Sequence, residues 1–226
     1  MRSGVRSPSA PPIFKITQGI LPDALSVLCA YNVPALANVC RLPSPGFHDL
    51  ECSSFAQRRS ENVARFVLHE MEKCKGVETE LIGILGLDFP NSDAAEALKH
   101  EGFSETVARA DGLVLVVPEY NHGYPGLLKH VLDSNLKEYI HKAVGVRGVS
   151  AGGLGGPRVI ENLLPVLRKL GLVTIFWDGN FSGAQELFDG QGKILDNAYV
   201  KRIDKFLGEL IWMSKVLRYC RESVSI

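Results

Sequence analysis

Between Asp111 and Pro118 the sequence reads Gly-Leu-Val-Leu-Val-Val, six residues without a polar side chain. A run this short, rich in β-branched residues and closed by a proline, has the character of a strand buried on both faces, and both faces are covered when helices flank a parallel sheet. Ala143 to Val149 is similar apart from Arg147, and Val77 to Ile84 and Leu172 to Trp177 are further short candidates. Helical periods separate them. Ser60 is placed to cap a helix whose apolar residues Val63, Phe66, Val67, Met71 and Cys74 recur at three and four residues up to Gly76. Further helices are expected from about Ser92 through Val107, from Gly126 to Leu132, along Ile160, Leu163, Leu164, Leu167 and Leu170 with a kink at Pro165, and along Ile203, Phe206, Leu207, Leu210, Ser214 and Leu217. Strands alternating with helices imply right-handed crossovers and a doubly wound parallel α/β sheet.

Four strands follow residue 76, so the first crossover needs a fifth before the Ser60 helix. The candidate is Phe47 to Ser53, a weak one, because Asp49 and Glu51 fall on one face and His48 and Leu50 on the other. Ahead of it, residues 1–47 hold seven of the twelve prolines and are expected to form an irregular extension, leaving residues 48–226 as the folded domain. Deleting residues 1–45 should then alter stability by no more than about 1 kcal/mol.

Lys plus Arg and Asp plus Glu are 25 each, so no overall field favours nucleic acid or an acidic membrane surface. Ala24 to Asn38, free of charge, falls short of the roughly 20 apolar residues of a membrane helix. The five cysteines are odd in number and form no CxxC pair, which fits free thiols in a reducing compartment and offers no metal site. A cytoplasmic protein is expected. Arg2, Arg6 and the neighbouring serines resemble a transit peptide in composition, but the prolines spoil an amphipathic helix there.

Ligands of such sheets collect beyond the carboxyl ends of the strands. Three loops are expected at that edge. Ser53-Ser-Phe-Ala-Gln-Arg-Arg-Ser60 offers hydroxyls and guanidinium groups before a helix N-terminus, a setting that suits a phosphate or a capped helix with solvated arginines. Pro118-Glu-Tyr-Asn-His-Gly-Tyr-Pro125 offers two tyrosines, an amide and a glycine, suited to a flat heterocycle; Glu119 and His122 could alternatively be an acid and a base, though no second carboxylate or nucleophile stands near them in sequence. Ser150-Ala-Gly-Gly-Leu-Gly-Gly156 has four glycines in five positions and matches neither a Walker loop nor the dinucleotide fingerprint.

From about Ser60 onward the chain resembles the NADPH-dependent FMN reductase family of flavodoxin-like quinone, azo and chromate reductases. The resemblance is carried by Leu113-Val-Leu-Val-Val-Pro-Glu-Tyr-Asn-His-Gly-Tyr-Pro-Gly-Leu-Leu-Lys-His-Val-Leu-Asp133 and by Val149-Ser-Ala-Gly-Gly-Leu-Gly-Gly156. It implies a flavodoxin-like five-stranded sheet and an FMN-dependent oxidoreductase in which the flavin carries the chemistry and no side chain is catalytic. NADPH would be the co-substrate, and a quinone or other small molecule the electron acceptor. Pro118, Glu119, Tyr120, Asn121 and Gly123 would hold the flavin from one side and Ser150, Gly152 and Gly153 from the other. Ser53, Arg58, Arg59, Ser60 and Asn62 would hold the phosphate, although Cys52 stands where the family has glycine and Phe55 where it has its first arginine. The family also implies a homodimer or homotetramer that covers the flavin edge. The competing expectation is a flavin-deficient domain serving as an interaction or regulatory subunit or an inactive variant, since one lost charge-assisted contact costs about 1.5–3 kcal/mol of affinity.

Overall fold

In a computed structural model of the chain, residues 27–32, 59–84, 87, 89–90 and 99–224 are described, with 27–32 and 59 as backbone. The apolar run forms β3 (Gly112–Pro118), buried along its whole length. Beside it lies β4 (Ala143–Val149), also wholly buried and parallel, with Gly112 opposite Ala143 and Pro118 opposite Val149. The sheet has the order β2-β1-β3-β4-β5, and β6 also pairs with β4. This is the strand order of flavodoxin-like sheets.

β1 departs from expectation. It is Val27–Asn32, inside the segment expected to be irregular, and it runs antiparallel to both β2 (Glu78–Gly83) and β3. All the other strands share one direction. The parallel doubly wound sheet therefore carries one reversed strand near its middle. Val27-Leu-Cys-Ala-Tyr has the unbroken apolar character that a sandwiched strand needs, and Phe47 to Ser53 lacks it. The latter segment lies outside the described residues.

The last expected strand is split. In β5, Val173 and Thr174 pair with Ala143 and Val144; the chain then leaves the ladder over residues 175–178 and rejoins as β6 (Gly179–Phe181) against Arg147–Val149. Arg147 is the reason. Its side chain is buried, lies with its guanidinium carbon 3.6 Å from the Phe206 ring centroid and donates to the Asp178 carbonyl at 3.3 Å. A Cβ at Gly179 would sit 1.4 Å from Arg147 Nη1, so the returning strand begins with the one residue that fits there. Desolvation draws the Arg147 pKa down to about 9.

Side chains alternate across the sheet. Val114 and Val116 of β3 face α1 (Arg59–Glu72) and α5 (Asn197–Ser223), while Leu113, Leu115 and Val117 face α2 (Glu101–Arg109), α3 (Gly126–Asp133) and α4 (Pro157–Lys169). The two apolar clusters are thus separated by the sheet, as double winding requires. α5 comes close at Gly145, where a Cβ would lie 2.3 Å from the Phe206 ring. α4 continues as helix through Pro165. α1 begins at Arg59, which puts Ser60 in its first turn and not at the expected cap; the expected start near Ser92 lies outside the described residues, and α2 runs from Glu101, where His100 Nδ1 accepts from the Phe103 amide at 3.2 Å.

Candidate functional site

β3, β4 and β6 end side by side. The Glu119 amide donates to the Val149 carbonyl at 2.9 Å and the Ser150 amide to the Phe181 carbonyl at 3.1 Å, so three loops leave one edge of the sheet together. After β3, the Tyr120 and Gly123 amides each donate to the other's carbonyl, at 2.9 and 2.8 Å. Asn121 and Tyr120 present exposed side chains from this turn. Asn121 and His122 between them have φ of 48° and 65°, a mirror-image turn in which Asn is tolerated and His is strained by roughly 1 kcal/mol.

Two residues of α4 hold that turn in place. Asn162 Nδ2 donates to the His122 carbonyl, and Arg158 Nη1 stands 3.5 Å from Glu119 Oε1. Glu119 Oε2 is buried and finds no hydrogen-bond donor among the described residues. A buried carboxylate oxygen left this way costs on the order of 1–3 kcal/mol or more. The sequence reading missed Arg158 and Asn162 because it followed only the inner, leucine-rich face of this helix. Their signal is the spacing of four, which sets both on one face of the first two turns.

After β4, Ser150 Oγ bridges its own loop, donating to the Gly152 carbonyl and accepting from the Gly155 amide, both at 3.0 Å. The loop after β6 is laced onto it: the Gly183 amide donates to Gly152 O at 3.1 Å and the Ala184 amide to Ser150 O at 3.2 Å. The four glycines divide into two kinds. Gly155 and Gly156 have φ of 75° and 87° and no room for a Cβ, which would fall 2.7 Å from Asn180 Cβ and 2.9 Å from the Val149 amide. Gly152 and Gly153 are exposed, and a Cβ on either would meet nothing within 4 Å. Among the described residues their smallness serves no contact.

The expected site residues Pro118, Glu119, Tyr120, Asn121, Gly123, Ser150, Gly152 and Gly153 thus share one edge. Of the expected phosphate group, Ser53 and Arg58 lie outside the described residues, Arg59 opens α1, Ser60 is buried in its first turn, and Asn62 is half-buried with Oδ1 3.9 Å from a Cβ built on Gly192. That glycine belongs to the 186–195 segment, where Asp189 Oδ1 accepts from the Gln191 and Lys193 amides at 2.9 and 2.8 Å. The segment brings a wall to the start of α1 that the sequence reading did not include. The same first turn carries Glu61, whose buried carboxylate pairs with Arg65 at 2.7 Å. Among the described residues no three His, Cys, Asp or Glu side chains are grouped to hold a metal, and no helix is long and apolar enough to cross a membrane.

A doubly wound sheet with an open glycine loop beside a strained turn, at the edge where its strands end, defines a flavodoxin-like ligand-binding domain. The chain belongs to the NADPH-dependent FMN reductase family, whose profile matches residues 50–183. It is 32% identical over 151 residues to an NAD(P)H-dependent FMN reductase of Pseudomonas aeruginosa, a match covering 62% of this chain and 81% of that one. It is 31% identical over 135 residues to a quinone reductase of Escherichia coli, covering 55% of this chain and 64% of the other. Among solved structures, the flavoenzyme NAD(P)H:(acceptor) oxidoreductase FerB of Paracoccus denitrificans superposes with a TM-score of 0.54 at 20% identity, over 69% of this chain and 90% of FerB. That likeness is one of fold.

Proposed function

We propose that the chain is an FMN-dependent NAD(P)H oxidoreductase that passes two electrons to quinone-like or other small acceptors, working in the cytoplasm as a homo-oligomer. The observation that carries this reading is the open space at Gly152 and Gly153 on the edge shared with the Tyr120–Gly123 turn, room that none of the described residues fills. Bound FMN supplies hydride chemistry of its own, so the chain needs no nucleophile or acid–base pair. Its residues bind and orient. Asn121 and Tyr120 offer an amide and a ring from the β3 loop, Gly152 and Gly153 let backbone approach from the β4 loop, and Glu119, paired with Arg158, braces the turn that carries Asn121. Ser53, Arg58, Arg59, Ser60 and Asn62 are the proposed phosphate group at the α1 N-terminus. FMN added to the purified protein should lose fluorescence with a Kd in the low micromolar range or below, and the complex should oxidise NADPH. Protein that neither quenches flavin nor oxidises NADPH overturns the proposal.

A second reading, a flavin-deficient domain, is favoured by β1. Asn32 at its carboxyl end pairs with Glu78 at the beginning of β2, so the strand delivers the chain to the edge opposite the α1 N-terminus. Glu61 adds a carboxylate to that same first turn, against an incoming anion. The titration separates the two readings, because a domain of the second kind has no measurable FMN affinity.

A further inference from the structure

Helix α5 buries Ile203, Phe206, Leu207, Leu210 and Ser214 against the sheet and exposes a second apolar stripe. Trp212 is 60% exposed, Val216 37% and Tyr219 68%. Spacings of four and three put them on one face, and the same spacing continued backwards reaches Gly208 and Lys205. Phe176 and Trp177, thrown out of the sheet between β5 and β6, lengthen the patch: they are 79% and 44% exposed, the Phe176 amide donates to Glu209 Oε1 at 3.2 Å, and Lys205 Nζ lies 5.8 Å from the Trp177 ring centroid. With aromatic side chains contributing roughly 150–250 Å² each when fully exposed, the patch comes to on the order of 500 Å². Monomeric surfaces seldom carry more in one piece.

Gly208 supplies the second observation. It stands exposed in the middle of a 27-residue helix, where glycine costs about 1 kcal/mol relative to alanine. Beyond the helix's own backbone, no atom of the described residues lies within 4 Å of a Cβ built there, so no packing among them requires its smallness. It is a notch in the exposed face, one turn from the Trp212 indole.

We propose that this face is a two-fold interface with a second copy of the chain, the two α5 helices crossing antiparallel so that Trp212 of each copy packs over Gly208 of the other. Notch and filler on the same helix face, one turn apart, form a self-complementary pattern that a two-fold contact uses twice. Two such patches remove about 1,000 Å² from water, the lower bound for a specific interface. Lys205 and Glu209 lie beside the aromatic strip and begin a charged rim.

The test weighs the full-length chain by light scattering and sedimentation, with Trp212→Glu and Gly208→Gln as variants. The wild-type mass should fall by a factor of two in each variant, whatever other contacts the assembly has, while far-UV circular dichroism and FMN titration stay unchanged. Gly208→Gln adds a better helix former at an exposed position, so its effect on mass cannot be ascribed to a weakened fold. A mass that neither variant changes overturns the proposal, whether the face is bare or covered by another segment of the same chain. The readout is mass, so its outcome is independent of whether flavin binds.

Discussion

Gly152, Gly153, Gly155 and Gly156 look alike in the sequence, and the structure gives them different tasks. Gly156 begins α4 from a left-handed conformation, folded back against Val149 and Gly148, so Gly156→Ala should lower stability by roughly 2 kcal/mol or more through strain and contact together. Gly152 has no such conformation, and a Cβ there would meet none of the described residues within 4 Å. Gly152→Val should leave the urea midpoint unchanged and weaken FMN binding at least tenfold. Equal loss of stability in both variants would show that the whole loop is glycine-rich for its fold. The composition made the loop's openness legible, but sorting its glycines needs φ and the path of β6, which no local pattern carries. Arg147 is similar: its oddness in an apolar strand was visible, whereas its partners, the Phe206 ring and the Asp178 carbonyl, lie 59 and 31 residues away in sequence.

At the scale of elements, β3, β4, α3 and α5 were legible because strong periods and clear ends coincide in them, and the two site loops followed from where those strands stop. β1 was not. Its six residues sit among prolines that argue against regular structure nearby, and pairing on both sides outweighs that local signal. The expectation that residues 1–45 can be deleted at little cost is therefore reversed. Removing them takes out a strand paired to β2 on one side and to β3 on the other, orphaning two rows of backbone groups. The deletion should cost more than about 5 kcal/mol, much of an ordinary domain's stability, and should abolish cooperative unfolding in urea. A truncated chain that keeps the full-length midpoint would show that β1 has no part in holding β2 to β3.

Across the whole molecule the two edges of the sheet have separate duties, and the edge opposite the site is locked by charge. Asp111, just before β3, accepts from Arg218 Nη1 at 3.2 Å and Arg221 Nη2 at 2.9 Å, and Arg221 also donates to the His141 carbonyl at 2.7 Å. These bonds tie the end of α5 to the beginnings of β3 and β4. Next to them Lys142, 5% exposed, donates from Nζ to the Val107 and Ala108 carbonyls at the end of α2. Desolvation, with the Arg221 charge adding to it, draws the Lys142 pKa down from 10.5 to about 8. Between those two values the unfolded chain keeps a proton that the folded chain has released, so this group makes stability rise with pH through that window. A neutral amine still has two donors for the two carbonyls, so the cap survives deprotonation. Lys142→Met removes both effects. Below pH 8 it should cost about 1–3 kcal/mol for the lost helix cap, and from pH 8 to 10 the gap between wild type and variant should widen by at most about 1.4 kcal/mol per pH unit. Urea unfolding of both proteins across that range measures the gap directly, and other titrating groups cancel in the difference. A gap independent of pH would mean that Lys142 stays charged in the fold, solvated by more than the two carbonyls of α2.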